Sequence, residues 1–133
     1  MSQENVELAK ESIEAFRRGD SAWFDEHSTT DVVIVQPPEV PDSKSYEGPT
    51  AWADALADWS GEWDDFRVDF VEVIDVSDDV SILGTRQRGR GTYSQIDMDF
   101  QVFFVNYLRD EKVARVEMFF SREQTLKAVG LAE

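Results

Sequence analysis

The stretch VSILGTRQRGRGTYSQIDMDFQVFFVNYLR (residues 80–109) decides the fold, because it contains two strand-like runs separated by a turn. Both runs are rich in β-branched and aromatic residues, which favour extended backbone. The polar segment around Thr92-Tyr93 is typical of the turn in a β-hairpin. We therefore expect two long antiparallel strands here, which need further elements to cover their apolar residues.

Arginines occupy alternate positions of the first run, at Arg86, Arg88 and Arg90, although the whole chain has a formal net charge of −15. A hairpin that turns at Thr92-Tyr93 predicts three facing pairs: Arg90 with Gln95, Arg88 with Asp97 and Arg86 with Asp99. Side chains two apart share a face of a strand, so the three pairs lie together. Three interpretations stay open: an ion-pair ladder that stabilises the hairpin, a catalytic Arg86–Asp99 pair in a pocket wall, or an anion site of unpaired arginines.

The N-terminal segment is predicted to be helical. Apolar residues at helical spacing predict a first helix over residues 3–18, with Ser2 as its cap and Gly19 just after its end. Asp20 is then placed to cap a short second helix over residues 21–27.

A strand and a third helix follow. Residues 31–36 form a β-branched run, and an irregular loop up to Tyr46 is expected after it. Three prolines impose that loop: Pro37, Pro38 and Pro41. The third helix is expected to begin at Gly48-Pro49 and to end at Gly61. Its spacing puts three large apolar side chains on one face: Trp52, Leu56 and Trp59.

The second half of the chain is mostly strand. Apolar and polar residues alternate in residues 66–76, and a further strand over residues 112–120 follows the hairpin. Ser121 with Gln124 three residues later predicts the start of a short C-terminal helix, which Gly130 ends. This order of elements indicates an α+β fold, with helices covering one face of a curved antiparallel sheet.

The composition indicates an acidic globular protein. A chain of 133 residues with 41% hydrophobic residues suggests a single domain, residues 1–133, with a real core. Much of the acidic excess lies between Asp54 and Asp79, and such a field repels nucleic acid and anionic membranes. With no apolar run of membrane-spanning length and no visible secretory signal, we expect a cytoplasmic protein without nucleic-acid or membrane partners.

The chain contains no cysteine and one histidine, His27. A disulfide or a thiolate metal site is therefore excluded, and a transition-metal site would have to rest mainly on carboxylates. His27 follows a short helix and precedes a strand, a place more typical of a capping or surface residue than of a catalytic base. We expect neither a metal nor a cofactor.

Five segments, in this order and spacing, resemble the SnoaL-like branch of the nuclear transport factor 2-like superfamily. They are AFRRGD (15–20), DVVIVQPPE (31–39), SYEGPTAWADAL (45–56), LRDEKVARVEMFF (108–120) and SREQTLKAVGL (121–131). The resemblance implies a cone-like curved antiparallel sheet wrapped around about three N-terminal helices, with a short C-terminal helix and an internal apolar pocket. Members of the superfamily include polyketide cyclases, ketosteroid isomerases, limonene epoxide hydrolases, dehydratases and non-catalytic binding modules.

The resemblance also implies roles for particular positions. The oxyanion tyrosine, the catalytic aspartate and the protonated acid of the isomerases fall on Ser12, on Gln36 and near Phe103. A glutamine amide cannot act as the base, because a proton shuttle needs a titratable group. The epoxide hydrolases hold an arginine between two aspartates, and Arg86, Asp97 and Asp99 supply those residue types, although on two predicted strands rather than one.

From these observations we expect a protein that binds a small apolar compound, cyclic or polyketide-like, in the pocket. Arg86 and Asp99 are the candidate catalytic residues if it is an isomerase, cyclase, dehydratase or hydrolase. The candidate ligand-binding residues are Phe16, Trp23, Gln36, Tyr46, Trp52, Trp59, Phe103, Met118 and Phe120. The alternative is a non-catalytic ligand-binding or dimerisation module.

The run VFFV (residues 102–105) is apolar on both faces of its strand. If Phe103 and Val105 face the interior, then Phe100, Val102 and Phe104 lie on the outer face. An apolar outer face usually marks an interface. We therefore expect a homodimer packed through the sheets.

Overall fold

The computed structural model describes residues 3–40, 43–61 and 63–131, which form an α+β fold with one curved six-stranded sheet and four helices. The helices are α1 (Gln3–Arg18), α2 (Ser21–Glu26), α3 (Ala51–Ser60) and α4 (Arg122–Ala128). The strands are β1 (Ser28–Val35), β2 (Ser45–Glu47), β3 (Trp63–Ser77), β4 (Val80–Gly91), β5 (Asp97–Arg109) and β6 (Lys112–Phe119). The predicted cap Ser2 and the predicted strand terminator Pro41 lie outside the described residues.

The sheet has the order β2-β1-β6-β5-β4-β3. All neighbouring strands in it run antiparallel except β1 and β6, which run parallel. The expectation of a purely antiparallel sheet is therefore wrong for this pair. Parallel pairing needs a long connection, and the chain between β1 and β6 provides one because it contains α3 and four strands. Register shifts along β3 bend that edge of the sheet.

Two of the predicted helix N-caps, Asp20 and Ser121, are present. The Asp20 carboxylate accepts a hydrogen bond from the Trp23 backbone N–H at 3.2 Å at the start of α2. The Ser121 hydroxyl oxygen accepts one from the Gln124 backbone N–H at 3.0 Å at the start of α4. These contacts confirm the local sequence signals, since each satisfies a backbone donor that the first helical turn leaves unpaired.

The segment before α3 differs from the expectation. Ser45–Glu47 form the short edge strand β2 beside β1, although an irregular loop was expected up to Tyr46. A strand of three residues is too short to show a periodic sequence signal. α3 begins at Ala51, two residues beyond Pro49, because Thr50 still has a non-helical backbone as its N-cap.

The loop between β4 and β5 fixes the register in which the arginines of β4 face β5. The Gly91 N–H donates to the Ile96 carbonyl at 3.0 Å, so the loop comprises the four residues 92–95 rather than two. The facing pairs are Arg90–Asp97, Arg88–Asp99 and Arg86–Gln101. The predicted pairs are therefore wrong by two positions, because loop length sets the register of a hairpin. A shift of two keeps the arginines and aspartates on one face.

The sheet has an inner face, which packs against α1, α2 and α3, and an outer face opposite to it. Phe104 on β5 packs among the inner residues, whereas its neighbours Phe103 and Val105 belong to an outer cluster. Leu126 and Val129, from the end of the chain at α4, cover that outer cluster. The expected orientation of β5, with Phe103 and Val105 towards the interior pocket, is therefore reversed.

Because of this orientation, the residues from which we inferred a homodimer are not exposed on the outer face. Val102 and Phe104 lie on the inner face, and Val102 is fully buried. On the outer face, Phe103 and Val105 are at most 1% exposed beneath the C-terminal segment. The apolar run of β5 is therefore buried within a single chain, and the homodimer stays a prediction.

Phe103→Ala tests the outer cluster. We expect a loss of about 3–5 kcal/mol in the free energy of unfolding, because truncating a buried phenylalanine leaves a cavity. Urea unfolding measures this loss. Tyr93→Ala is the control, since Tyr93 is 89% exposed; it should change stability by less than about 0.5 kcal/mol. Equal, small effects of the two substitutions would contradict the buried position of Phe103.

Candidate functional site

A narrow cavity lies between the inner face of the sheet and the helices α1 and α3. Its volume is about 40 Å³, enough for a few water molecules. Eleven residues line it: Phe16, Ile34, Gln36, Tyr46, Trp52, Ala55, Leu56, Trp59, Phe104, Val116 and Met118. Six of the nine predicted ligand-binding residues are among them. The lining is mostly apolar, but the space is smaller than a cyclic compound, so the ligand pocket stays a prediction.

α3 supplies one wall of the cavity. Trp52, Leu56 and Trp59 line it from a single helical face, as their spacing predicted. The Trp52 indole N–H donates to the Ser28 hydroxyl at 2.9 Å, and its ring stacks on Phe24 with centroids 4.4 Å apart. Trp52 is therefore held on both its polar and its apolar sides.

A buried chain of hydrogen bonds fixes the other tryptophan. The Trp59 indole N–H donates to the Gln87 side-chain oxygen at 3.1 Å, and Gln87 Nε2 donates to the Thr85 hydroxyl at 3.3 Å. The Thr85 hydroxyl in turn donates to the Val102 carbonyl at 2.8 Å. Gln87 is only 1% exposed, so it anchors the indole to the sheet. We did not predict Gln87, although its place between two outward arginines on one strand points its side chain inward.

Two polar side chains form one end of the cavity. The Tyr46 hydroxyl donates to Asp58 Oδ2 at 2.7 Å, and Gln36 Nε2 approaches the Tyr46 hydroxyl oxygen at 3.4 Å. Behind them, Lys44 Nζ forms an ion pair with the same Asp58 oxygen at 3.1 Å. The sequence identified Gln36 and Tyr46 but missed Asp58 and Lys44. These two exposed residues show no periodic sequence pattern that would indicate a role. Asp58 also belongs to an acidic run that is typical of a solvated surface.

The polar end favours a neutral tyrosine. Burial raises the pKa of Tyr46, and the hydrogen bond to Asp58 with its negative charge raises it further. The same hydrogen bond, together with Lys44, lowers the pKa of Asp58. Tyr46 therefore keeps its proton and directs it at Asp58, while its oxygen accepts a long bond from Gln36 and has a second lone pair for another donor. Among the eleven lining residues, Tyr46 is the only titratable one.

The candidate catalytic pair Arg86–Asp99 forms, but on the outer face. Arg86 Nε lies 2.9 Å from Asp99 Oδ1 and Nη2 lies 2.5 Å from Oδ2, a two-point contact. This contact lowers the pKa of Asp99 and raises that of Arg86. Both side chains are about half exposed, at 50% and 51%. The expectation that the pair lines the pocket is wrong, because Gln87 and Thr85 take the inward positions of β4.

The other members of the predicted ladder also form ion pairs. Arg90 Nε lies 3.0 Å from Asp97 Oδ1, and Arg88 Nη2 lies 2.7 Å from Asp69 Oδ2 on β3. Arg88 thus pairs with a strand that the hairpin prediction did not consider. Exposed ion pairs of this kind contribute little to stability individually.

Three predicted ligand-binding residues do not line the cavity. Phe103 lies on the outer face, as described above. Phe120 lies against Phe100, with ring centroids 6.0 Å apart. Trp23 stacks on His27 at 4.0 Å, and His27 is the C-cap of α2, in agreement with its predicted capping role.

In the part of the chain that the structure describes, no three His, Cys, Asp or Glu side chains are grouped so that they could hold a metal ion. None of the described helices has the length and apolar character needed to cross a membrane.

Comparisons with known proteins identify the fold. Residues 9–116 match the family model of the SnoaL-like domain. A protein of unknown function from Burkholderia pseudomallei, described as nuclear transport factor 2-like, superposes with a TM-score of 0.76 at 16% identity, over 98% of this chain and 99% of its own. A Jannaschia protein described as a SnoaL-like polyketide cyclase gives 0.74 at 14% identity, over 97% and 93%.

A third similar structure is an epoxide hydrolase/cyclase-like enzyme of pyran ring formation in the polyether salinomycin. It superposes with a TM-score of 0.71 at 14% identity, over 90% of this chain and 92% of its own. No curated protein matches the chain significantly. At these identities the structural similarities establish the fold and not the chemistry.

Gln87→Met tests the hydrogen-bond chain behind the cavity wall. We expect a loss of about 1–3 kcal/mol in the free energy of unfolding, because the Trp59 indole N–H is left without an acceptor. The same substitution made in a Trp59→Phe background should have a smaller effect, since phenylalanine has no N–H to satisfy. Urea unfolding of the four proteins measures the coupling. Equal losses in both backgrounds would show that Gln87 does not anchor Trp59.

Asp58→Asn tests the polar end through its pH dependence. The folded state lowers the pKa of Asp58, so its stabilisation is present above the pKa of the unfolded chain, about 3.9. It is lost as the pH falls through the lower folded value. The stability difference between wild type and Asp58→Asn, from urea unfolding, should therefore be present at neutral pH and disappear in acid. Asp25→Asn, at an exposed carboxylate of α2, is the control; a pH-independent Asp58 difference would contradict the assignment.

Proposed function

Because the chain belongs to the SnoaL-like domain family, we propose that it binds a small, largely apolar molecule between the sheet and α3. The observation that carries the proposal is the composition of the cavity wall. Nine apolar side chains surround the space, and its two polar ones, Gln36 and Tyr46, meet at one end. Apolar walls with a few convergent polar groups are typical of ligand sites. The ligand we propose is cyclic or polyketide-like, with one polar oxygen.

Binding requires the cavity to widen. Ligand sites for drug-sized compounds have volumes of roughly 300–1,000 Å³, whereas this cavity encloses about 40 Å³. Met118 is the most adaptable lining residue, because an unbranched thioether side chain changes rotamer readily. Trp59 is only partly buried, but to move it must give up its bond to Gln87 and its ring contacts with neighbouring aromatic residues. The ligand therefore competes with the side chains that fill its site.

The polar end determines which groups the ligand presents. Tyr46 donates its proton to Asp58, so its oxygen accepts from a ligand hydroxyl. Gln36 Nε2 makes only a long bond of 3.4 Å to Tyr46, so it exchanges this partner readily for a ligand oxygen. A hydroxyl satisfies both residues at once, because it donates to Tyr46 and accepts from Gln36.

Binding without turnover is the function that the cavity supports best. The only titratable lining residue is a tyrosine that stays neutral, whereas acid–base catalysis needs a group that titrates near the working pH. The alternative is an isomerase or cyclase in which Tyr46 relays a ligand proton to Asp58. The 2.7 Å contact between their oxygens favours this alternative, as do the similar structures described as a polyketide cyclase and as an epoxide hydrolase/cyclase-like enzyme.

A pair of isosteric probes tests the proposal. p-Cresol and p-xylene have nearly the same shape, and only the first carries a hydroxyl group. We expect both to shift the indole N–H signals of Trp52 and Trp59 in ¹⁵N-correlated NMR spectra, with Trp23 unchanged. Tyr46→Phe should weaken the binding of p-cresol about fivefold to tenfold, which is the effect of one lost hydrogen bond. p-Xylene should bind this variant as it binds the wild type.

The matched control is Tyr93→Phe, because Tyr93 is exposed at the hairpin loop. It should bind both probes like the wild type. Shifts confined to Trp23, or p-cresol binding that is indifferent to Tyr46, would refute the proposed site.

A further inference from the structure

We propose that a monocarboxylate binds between Arg67 and Arg88, in an open trough on the outer face of the sheet. The trough lies across β3, β4 and β5, on the side opposite to the cavity. Its volume is about 420 Å³, and six charged residues line it: Asp65, Arg67, Arg88, Arg90, Asp97 and Asp99.

The pairing of β3 with β4 places two like charges together. Arg67 lies directly opposite Arg88 in the register of the two strands. Like charges in directly opposed positions destabilise a sheet unless an opposite charge lies between them. An anion at this position would turn the repulsion into a shared attraction.

Among the described residues Arg67 has no counter-ion, whereas its neighbours have one. Arg86, Arg88 and Arg90 pair with Asp99, Asp69 and Asp97 in that order. Within residues 3–40, 43–61 and 63–131, no carboxylate lies within ion-pair distance of Arg67, although its side chain is exposed. In a chain with a net charge of −15, a guanidinium without a partner is unexpected.

Arg88 also has unused hydrogen-bonding capacity. Its Nη2 donates to Asp69 at 2.7 Å, but its Nε is buried without an acceptor among the described residues. A buried donor without a partner carries a desolvation penalty. The contact with Asp69 uses Nη2 alone, and a guanidinium can bind a carboxylate with two parallel hydrogen bonds.

The surroundings select the kind of anion. Asp65, Asp97 and Asp99 line the same trough, and the whole chain is strongly acidic, so a dianion such as phosphate is repelled more than a monoanion. The open trough leaves room for the aryl or alkyl group that carries the carboxylate. The site therefore fits an aryl or alkyl monocarboxylate. The carboxylate belongs either to a small organic acid or to an acidic side chain of a second copy of this chain.

Titration with benzoate tests the site. We expect saturable shifts of the Nε–H signals of Arg67 and Arg88 in ¹⁵N-correlated spectra, and no shift with neutral benzamide. Arg67→Gln should weaken the binding of benzoate about tenfold, which is the effect of losing one charge-assisted contact. Arg109→Gln is the matched control, because Arg109 has its own partner, Asp31, and neither residue lines the trough. It should leave benzoate binding unchanged.

Light scattering separates the two sources of the carboxylate. A monomeric mass with saturable benzoate binding supports a free organic acid. A dimeric mass that falls with benzoate or with Arg67→Gln supports an acidic side chain of a second copy in the same site. The proposal is overturned if the wild type is monomeric and shows no saturable shift. It is also overturned if Arg109→Gln weakens benzoate binding as much as Arg67→Gln does, or if inorganic phosphate binds more tightly than benzoate.

Discussion

The alternation of side chains along β4 is the constraint on which both candidate sites depend. Thr85 and Gln87 point inward and join the sheet to Trp59, whereas Arg86 and Arg88 point outward and pair with aspartates. A single strand thus separates an apolar cavity from a charged surface. The separation explains how an acidic protein keeps several arginines on one strand without placing any of them in its cavity.

The cavity is defined by the contrast between its walls and its polar end. α3 contributes Trp52 and Trp59 to the wall and Asp58 to the support of Tyr46. Burial and the neighbouring carboxylate both raise the pKa of Tyr46, so this end offers hydrogen bonds without an ionised group in contact with the ligand. In the function that we propose, this end recognises an oxygen atom on an otherwise apolar molecule.

Local features of the fold were predictable from the sequence, and features that depend on distant contacts were not. The bounds of α1 and the caps of α2 and α4 follow from residues within a few positions of each other. The predicted register of the hairpin was wrong because the residues Thr92-Tyr93 do not reveal that the loop has four residues. The predicted orientation of β5 was wrong because its residues 102–105 are apolar on both faces. The sequence pattern therefore cannot show which face of the strand packs against the helices. Asp58 was missed because its partner Tyr46 lies on β2, a strand that the sequence did not predict.

The alternation of inward and outward side chains along β4 also limits which sequence changes this protein can accept during evolution. Substitutions at inward and outward positions act on different surfaces, so the cavity and the charged trough can diverge independently. An insertion or deletion of one residue within β4 is a different matter, because it exchanges the two sets of side chains. Arginines would then take the inward places of Thr85 and Gln87 behind Trp59, and Trp59 would lose its bond to Gln87. We expect relatives of this protein to vary in length at the loop of residues 92–95 and to keep the length of β4 constant.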